Sequence, residues 1–167
     1  MRILGIDPGI AIVGFGFVDR IGSKVVPVQY GTIETPAGTD AAKRLMEIHE
    51  SLTELIRRYR PDCIAVEKLY FNRNVTTAFT VGQARGVVML AGAQQGLEFA
   101  EYTPLQVKQA VVGYGQAEKR QVQEMVRLLL GLPSIPKPDD AADALAIAIC
   151  HAHSSTFQHR LNGALGR

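Results

Sequence analysis

An apolar run that ends on a carboxylate opens this chain: Arg2-Ile3-Leu4-Gly5-Ile6-Asp7-Pro8-Gly9. Residues 3–6 read as a short buried strand, and Pro8 and Gly9 close it. Asp7 therefore stands at the exit of that strand. An aspartate so placed needs a partner, because burying an unpaired carboxylate is costly. A cation is one solution.

The rest of the chain must build a core around that strand. It has 167 residues, 47% of them hydrophobic and 20% charged, which suffices for one globular domain. We read a single domain over residues 1–154 and a flexible tail over 155–167, where periodicity is lost. The net charge of +2 permits nucleic-acid binding without arguing for it. Cys63 and Cys150 both lie in apolar runs and read as small core residues in a reducing compartment. No signal peptide is visible, and the apolar run 87–93 is too short to span a bilayer. A soluble, cytoplasmic protein is expected.

Residues 12–18 and 24–33 read as two further strands around a turn at 19–23, antiparallel to the first and to each other. Thr39 is the expected cap of an amphipathic helix over 40–59, with Leu45, Ile48, Leu52, Leu55 and Ile56 on one face. Residues 63–66 form a short apolar strand with Glu67 at its exit, and a helix leading into it implies a parallel pairing. A nearly all-apolar helix follows, from Thr76 or Thr77 to about Gln95, then a fifth strand over 97–102. Thr103-Pro104 opens a short helix carrying Lys108. Another helix starts at Gln116 or Ala117, and a last one runs from Asp139-Asp140 to about His153, its first turn acidic as the helix dipole favours. This order predicts an α/β fold: a five-stranded mixed sheet flanked by helices on both faces.

Four acids stand out by position: Asp7, Glu67, Asp140 and Asp143. Asp140 and Asp143 are three apart and share a helix face; Asp139 and Asp143 are four apart and can share one too. The sequence leaves that choice open, with Asp140 preferred because capping or solvent accounts for Asp139. Taken singly, each acid has an ordinary structural explanation. Asp143 is the hardest to explain away, being set in the apolar run Ala141-Ala142-Asp143-Ala144-Leu145. Clustered carboxylates repel unless cations separate them. Hard oxygen ligands suit magnesium or manganese rather than zinc, and the spacings of His151, His153 and the cysteines do not suit zinc. Two such ions about 4 Å apart can activate water and stabilise a leaving 3′ oxygen in phosphodiester cleavage.

Basic and aromatic residues extend this reading. Lys108 and Lys119 are candidates to hold the scissile phosphate, with Arg120 beside the second. Arg73 and Asn74 lie on a loop just past Glu67, where a metal site would meet DNA. Tyr70 and Phe71 are candidates to stack on or wedge between bases, one of them facing inward. Arg85 is a candidate for an interface or a backbone phosphate.

These stretches together resemble the bacterial Holliday-junction resolvases of the RuvC type. The resemblance rests on Gly5 to Gly9, Val66-Glu67 with Tyr70-Phe71, Gly82 to Gly86, Thr103-Pro104 through Lys108, Gly113 through Lys119, and Asp140 to Ala146. It covers all but about the last dozen residues. It implies a ribonuclease-H-like fold and a homodimer that cuts four-way DNA junctions symmetrically, leaving 5′ phosphate and 3′ hydroxyl ends. It further implies two magnesium ions held by Asp7, Glu67, Asp140 and Asp143, with manganese able to substitute. Lys108 and Lys119 would be the catalytic lysines, and Tyr70 the aromatic after the second acid, where many members have phenylalanine. Some relatives carry histidine at the position of Asp140. A branch-migration motor of the RuvA and RuvB type would be the partner, and the apolar helix would contribute to the dimer interface.

Other readings compete: a nuclease of the same fold acting on RNA or an RNA–DNA hybrid, or a junction-binding protein without chemistry. A sugar kinase or ATPase also starts with a strand ending in aspartate, but it needs two such domains and a second phosphate loop, which this chain lacks.

Overall fold

Short turns leave the first three strands no option but to pair as neighbours. The computed structural model describes residues 1–68 and 75–165, with side chains described over 1–68 and 78–154. The order is β1 (Arg2–Asp7), β2 (Ile12–Ile21), β3 (Lys24–Glu34), α1 (Ala41–Tyr59), β4 (Cys63–Glu67), α2 (Val75–Gln94), β5 (Glu98–Tyr102), α3 (Pro104–Val112), α4 (Lys119–Leu129) and α5 (Asp139–Leu165). The first three strands are antiparallel. β4 and β5 add in parallel on the other side of β1. The sheet order β3-β2-β1-β4-β5 is the mixed sheet the sequence predicts.

Strand alternation sorts the two faces. Leu4, Ile6, Ile64 and Val66 point to one side and pack with Ile48, Leu52 and Ile56 of α1 and Ala84, Val88 and Ala91 of α2. Ile3, Cys63 and Ala65 point to the other, against Val107, Val126, Leu145 and Ile149 from α3, α4 and α5. Both cysteines are buried and free. Truncating a fully buried residue such as Leu52 to Ala would cost about 2–5 kcal/mol. Among the described residues no helix is long and apolar enough to cross a membrane.

Local chemistry moves several boundaries from their expected places. The β2–β3 hairpin is tighter than a turn over 19–23. Arg2 donates to both carboxylate oxygens of Asp19 at 2.9 and 2.8 Å, which keeps Asp19 in the strand opposite Arg2. The turn falls on Gly22, whose φ of +62° suits glycine. Pro27 is tolerated because β3 is an edge strand, with a register shift opposite Phe17 and Val18. Asp40, not Thr39, caps α1 by accepting from the amides of Ala42 and Lys43. Thr103 caps α3 as expected, in a reciprocal box with Gln106. α4 starts at Lys119 rather than Gln116 or Ala117, because the Gln121 side chain accepts from the Glu118 amide there at 2.8 Å. Leu129, at the end of α4, is exposed.

α5 continues to Leu165 instead of ending near His153. Residues 155–165, expected as part of a flexible tail, are helical in their backbone. Between Asp139 and Asn162 there is no glycine or proline. Loss of amphipathic pattern removes a packing face, not the local geometry of a helix.

Candidate active site

Asp7 lies two and four residues beyond Gly5 and Ile3, and Glu67 two and four beyond Ala65 and Cys63. Alternation therefore puts both carboxylates on the α5 side of the sheet. β1 and β4 are parallel neighbours, with Ile6 opposite Val66, so both acids emerge at the same end.

α5 reaches that end because the sheet gives it room. A Cβ built on Gly14 would overlap the carbonyl oxygen of Asp140, and one on Gly5 the carbonyl oxygen of Ala144. On Gly16 it would stand 2.7 Å from Leu145 Cδ2. Gly5 pairs with Gly16 across the sheet, and Gly14 pairs with Asp7. Ala141, Ala144 and Ala148 are buried on the helix. Small residues on both sides let the backbones approach, and the first turn of α5 comes down beside Asp7.

The result is a cleft of about 310 Å³ lined by Asp7, Glu67 and Asp143 with Lys108 and Lys119, and walled by Pro104, Val107, Val122 and Ala146. Burial, then the charges of Asp143, Glu67 and Asp140, push the Asp7 carboxyl up to about 7. Burial and Asp143 also raise Glu67, against the pull of Lys108. Asp143 is raised by burial despite the hydrogen bond and charge of Lys119. Lys119 Nζ stands 3.0 Å from Asp143 Oδ2, and this bond raises its own pKa.

Asp139 and Asp140 have different neighbours, and neither lines the cleft. Asp139 takes Lys119 on one oxygen at 3.6 Å and Lys137 on the other at 3.4 Å. The charge of Asp140 bears on both Asp7 and Asp143. Among the described residues no three His, Cys, Asp or Glu side chains form a ready cage for a metal. The donor chemistry nevertheless fits a hard divalent cation: the cleft lining offers carboxylate oxygens and no thiolate or imidazole. Its most buried acid also carries a charge that its neighbours oppose.

Other candidates fall elsewhere. Arg85 lies on α2, across the sheet from the cleft, and forms an ion pair with Glu101 of β5. Arg120 is exposed on α4 and lines a separate groove with Glu118 and Glu124. Tyr70, Phe71, Arg73 and Asn74 lie outside the described residues. Sequence reasoning missed the seat under α5. Its signal is present as Gly5, Gly14 and Gly16 on adjacent strands and the alanine run of the last helix.

Residues 3–151 match the family profile described as crossover junction endodeoxyribonuclease RuvC. The chain belongs to the RuvC family. It is 64% identical over 157 residues to the RuvC crossover junction endodeoxyribonuclease of Brevibacillus brevis, covering 94% of this chain and 95% of that one. With its Desulfitobacterium hafniense counterpart the identity is 59% over 165 residues, covering 99% and 100%. Among solved structures, Thermus thermophilus RuvC in complex with a Holliday junction substrate superposes with a TM-score of 0.90. The identity there is 40%, covering 95% of this chain and 96% of that one. A yeast mitochondrial Holliday junction resolvase shares the fold alone, with a TM-score of 0.66 at 17% identity over 96% of this chain and 83% of that one. The five-stranded sheet and its flanking helices are thus the ribonuclease-H-like RuvC fold.

Proposed function

We propose that the cleft hydrolyses one phosphodiester bond in a strand of a four-way DNA junction, leaving 5′ phosphate and 3′ hydroxyl ends. The chain is a structure-specific endonuclease of DNA recombination and repair, as its family membership implies. One observation carries the assignment of chemistry to this cleft. Three acids from β1, β4 and α5 share it with two lysines from α3 and α4.

Asp7, Glu67, Asp143 and Asp140 would hold magnesium, in two sites, with manganese able to substitute. Magnesium bound there supplies a polarised water and a counter-charge for the leaving oxygen. The chain's own residues do the rest. Asp7 is half-buried at a strand end, so its carboxylate has little freedom and keeps its place as DNA arrives. Lys119 keeps Asp143 from facing its neighbouring acids uncompensated. Its ammonium, more than half exposed, is free to turn from Asp143 to a phosphate oxygen. Lys108 on α3 faces Glu67 across the cleft and offers a second cation to that phosphate. No side chain is asked to act as a covalent nucleophile, so the rate depends on positioning and charge.

Symmetric cutting requires two such sites, and a two-fold homodimer supplies them. Phe79, Met89 and Leu90, all exposed on α2, support that helix as the dimer surface. The family resemblance supports a cytoplasmic enzyme working with a branch-migration motor of the RuvA and RuvB type. The deciding experiment compares four-way junctions, linear duplex and RNA–DNA hybrid with magnesium, for wild type and Asp7→Asn. Symmetric nicks in the junction alone, lost in Asp7→Asn while junction binding persists, are expected. Preferred cutting of the hybrid, or unchanged cutting by Asp7→Asn, would overturn the reading.

A further inference from the structure

Behind the cleft, a set of polar groups joins the second half of α5 to β5 and α3. The Tyr102 hydroxyl and His151 Nδ1 are 2.7 Å apart, and the two rings meet edge-on with centroids 5.8 Å apart. Two further contacts lie alongside. His153 Nδ1 is 3.1 Å from the carbonyl of Ala110, and Cys150 Sγ is 3.6 Å from the carbonyl of Gln106. The Tyr102–His151 and Cys150–Gln106 contacts are partly buried beside the apolar layer of Val107, Val111, Ile147 and Ile149, and the His153 contact lies at its exposed edge. Apolar packing tolerates sliding, whereas hydrogen bonds in a low-dielectric layer fix one register.

The location gives these contacts a consequence. Tyr102 is the register partner of Glu67, and its carbonyl accepts from the amide of Lys68 at 2.8 Å. The next residue, Thr103, caps α3, the helix that carries Lys108 into the cleft. His151 stands two turns beyond Asp143 on α5. The Tyr102–His151 bond thus joins the wall bearing Glu67 and Lys108 to the wall bearing Asp143, with no contact to the reacting atoms.

We propose that Tyr102 and His151 are positioning residues for strand cleavage. Their hydrogen bond fixes the end of β5, from which α3 starts, against α5, and His153 of α5 adds a contact to Ala110 of α3; together they set where Lys108 stands relative to Glu67 and Asp143. Burial, and then the charge of Arg20, keeps His151 on the neutral side, as an imidazole accepting from the tyrosine hydroxyl requires. The inference rests on the cleft being the nuclease site described above.

The test uses full-length Tyr102→Phe, His151→Gln and His151→Phe with a four-way junction. Tyr102→Phe and His151→Phe should each lower kcat by about tenfold or more, with junction binding held within about twofold. The double variant Tyr102→Phe with His151→Phe should be little worse than either single one, because both remove the same bond. His151→Gln keeps an acceptor for the hydroxyl and should recover part of the rate. Ile48→Val, in the core on the opposite face of the sheet, controls for lost stability and should leave kcat unchanged. A lowered melting temperature with an unchanged kcat in Tyr102→Phe would reduce these contacts to packing and overturn the proposal. The ring-nitrogen NMR shifts of His151, taken without DNA or metal, read the bond independently. They should move in Tyr102→Phe; identical spectra would overturn the proposal whatever the enzyme cuts. A wild type that cuts no junction would overturn the nuclease reading instead, a result the spectra distinguish.

Discussion

Asp7 stands opposite Gly14 across the β1–β2 pair, and Gly14 is where the backbone of Asp140 comes to rest on the sheet. One pairing therefore joins the acid that leaves the first strand to the helix that carries Asp140 and Asp143. The seat works only while that residue has no side chain.

Gly14→Ala tests this relationship. The added methyl meets the Asp140 carbonyl, which belongs to backbone and cannot rotate away. The first turn of α5 must lift or β2 must bend. Overpacking of this kind costs about 1–3 kcal/mol of stability. Cleavage should fall much further, by about a hundredfold, because Asp140 and Asp143 move away from Asp7. Urea unfolding and single-turnover junction cleavage check the two effects. Loss of cleavage no greater than the loss of folded protein would show that the seat serves packing alone.

The charge on Asp7 makes stability depend on pH when no divalent ion is present. Its folded value lies near 7, against 3.8 for the free side chain. Between those limits the folded state binds the extra proton, so this residue lowers stability as pH rises from about 4 to about 7. Above 7 the full penalty applies, on the order of 2–4 kcal/mol. Asp7→Asn should therefore stabilise the metal-free protein at pH 8 by an amount of that order and lose the advantage near pH 4. Urea unfolding in a chelator at pH 4, 6 and 8 checks it, and a gain independent of pH would contradict the assigned burial.

Which parts of the site were readable in the sequence follows from range. The strand carrying Asp7 was legible because a run of apolar residues followed by Asp-Pro-Gly is a local signal. So was the Thr103–Pro104 cap, where side chain and backbone partners lie within three residues. Glu67 and Asp143 were legible as acids in apolar settings. That Asp7 and Glu67 share a face is period-two counting once the strands are placed. The seat of α5 was not legible. Gly14 and Asp140 are far apart in sequence, and nothing near either one announces the contact. The α1 cap was missed because Thr39 and Asp40 are both good caps and only backbone direction chooses between them. Arg85 reads as a candidate for an interface or a backbone phosphate because a lone arginine in an apolar helix looks unpaired; its partner Glu101 comes from a strand later in the chain.

The Arg85–Glu101 pair makes its own prediction. The Arg85 side chain is only 14% exposed and is held by Glu101 of β5 and, through another nitrogen, by Met89 Sδ at 3.2 Å. Arg85→Ala should cost on the order of 1–2 kcal/mol of stability, as should Glu101→Gln. Neither should change the slope of junction affinity against salt. Urea unfolding and a salt titration of binding separate the two readings. A slope reduced by about one in Arg85→Ala would put this residue on a phosphate after all.

Lys119 gives the sharpest test of how the cleft balances its charge. Its ammonium is bonded to Asp143 and lies near Asp139, so removing it affects two things at once. Without DNA, Asp143 loses the hydrogen bond and the positive charge that hold its pKa down. Lys119→Met should therefore raise the pKa of Asp143 further, a shift readable by carboxyl NMR in metal-free protein. With DNA, the cleft loses a cation for the phosphate, and cleavage at saturating magnesium should fall by about 10²–10³. Junction affinity should fall little, with the salt slope reduced by about one. The two readouts separate the roles. A raised Asp143 pKa with unchanged cleavage would confine Lys119 to holding the acid, and lost cleavage with an unmoved Asp143 would confine it to the phosphate.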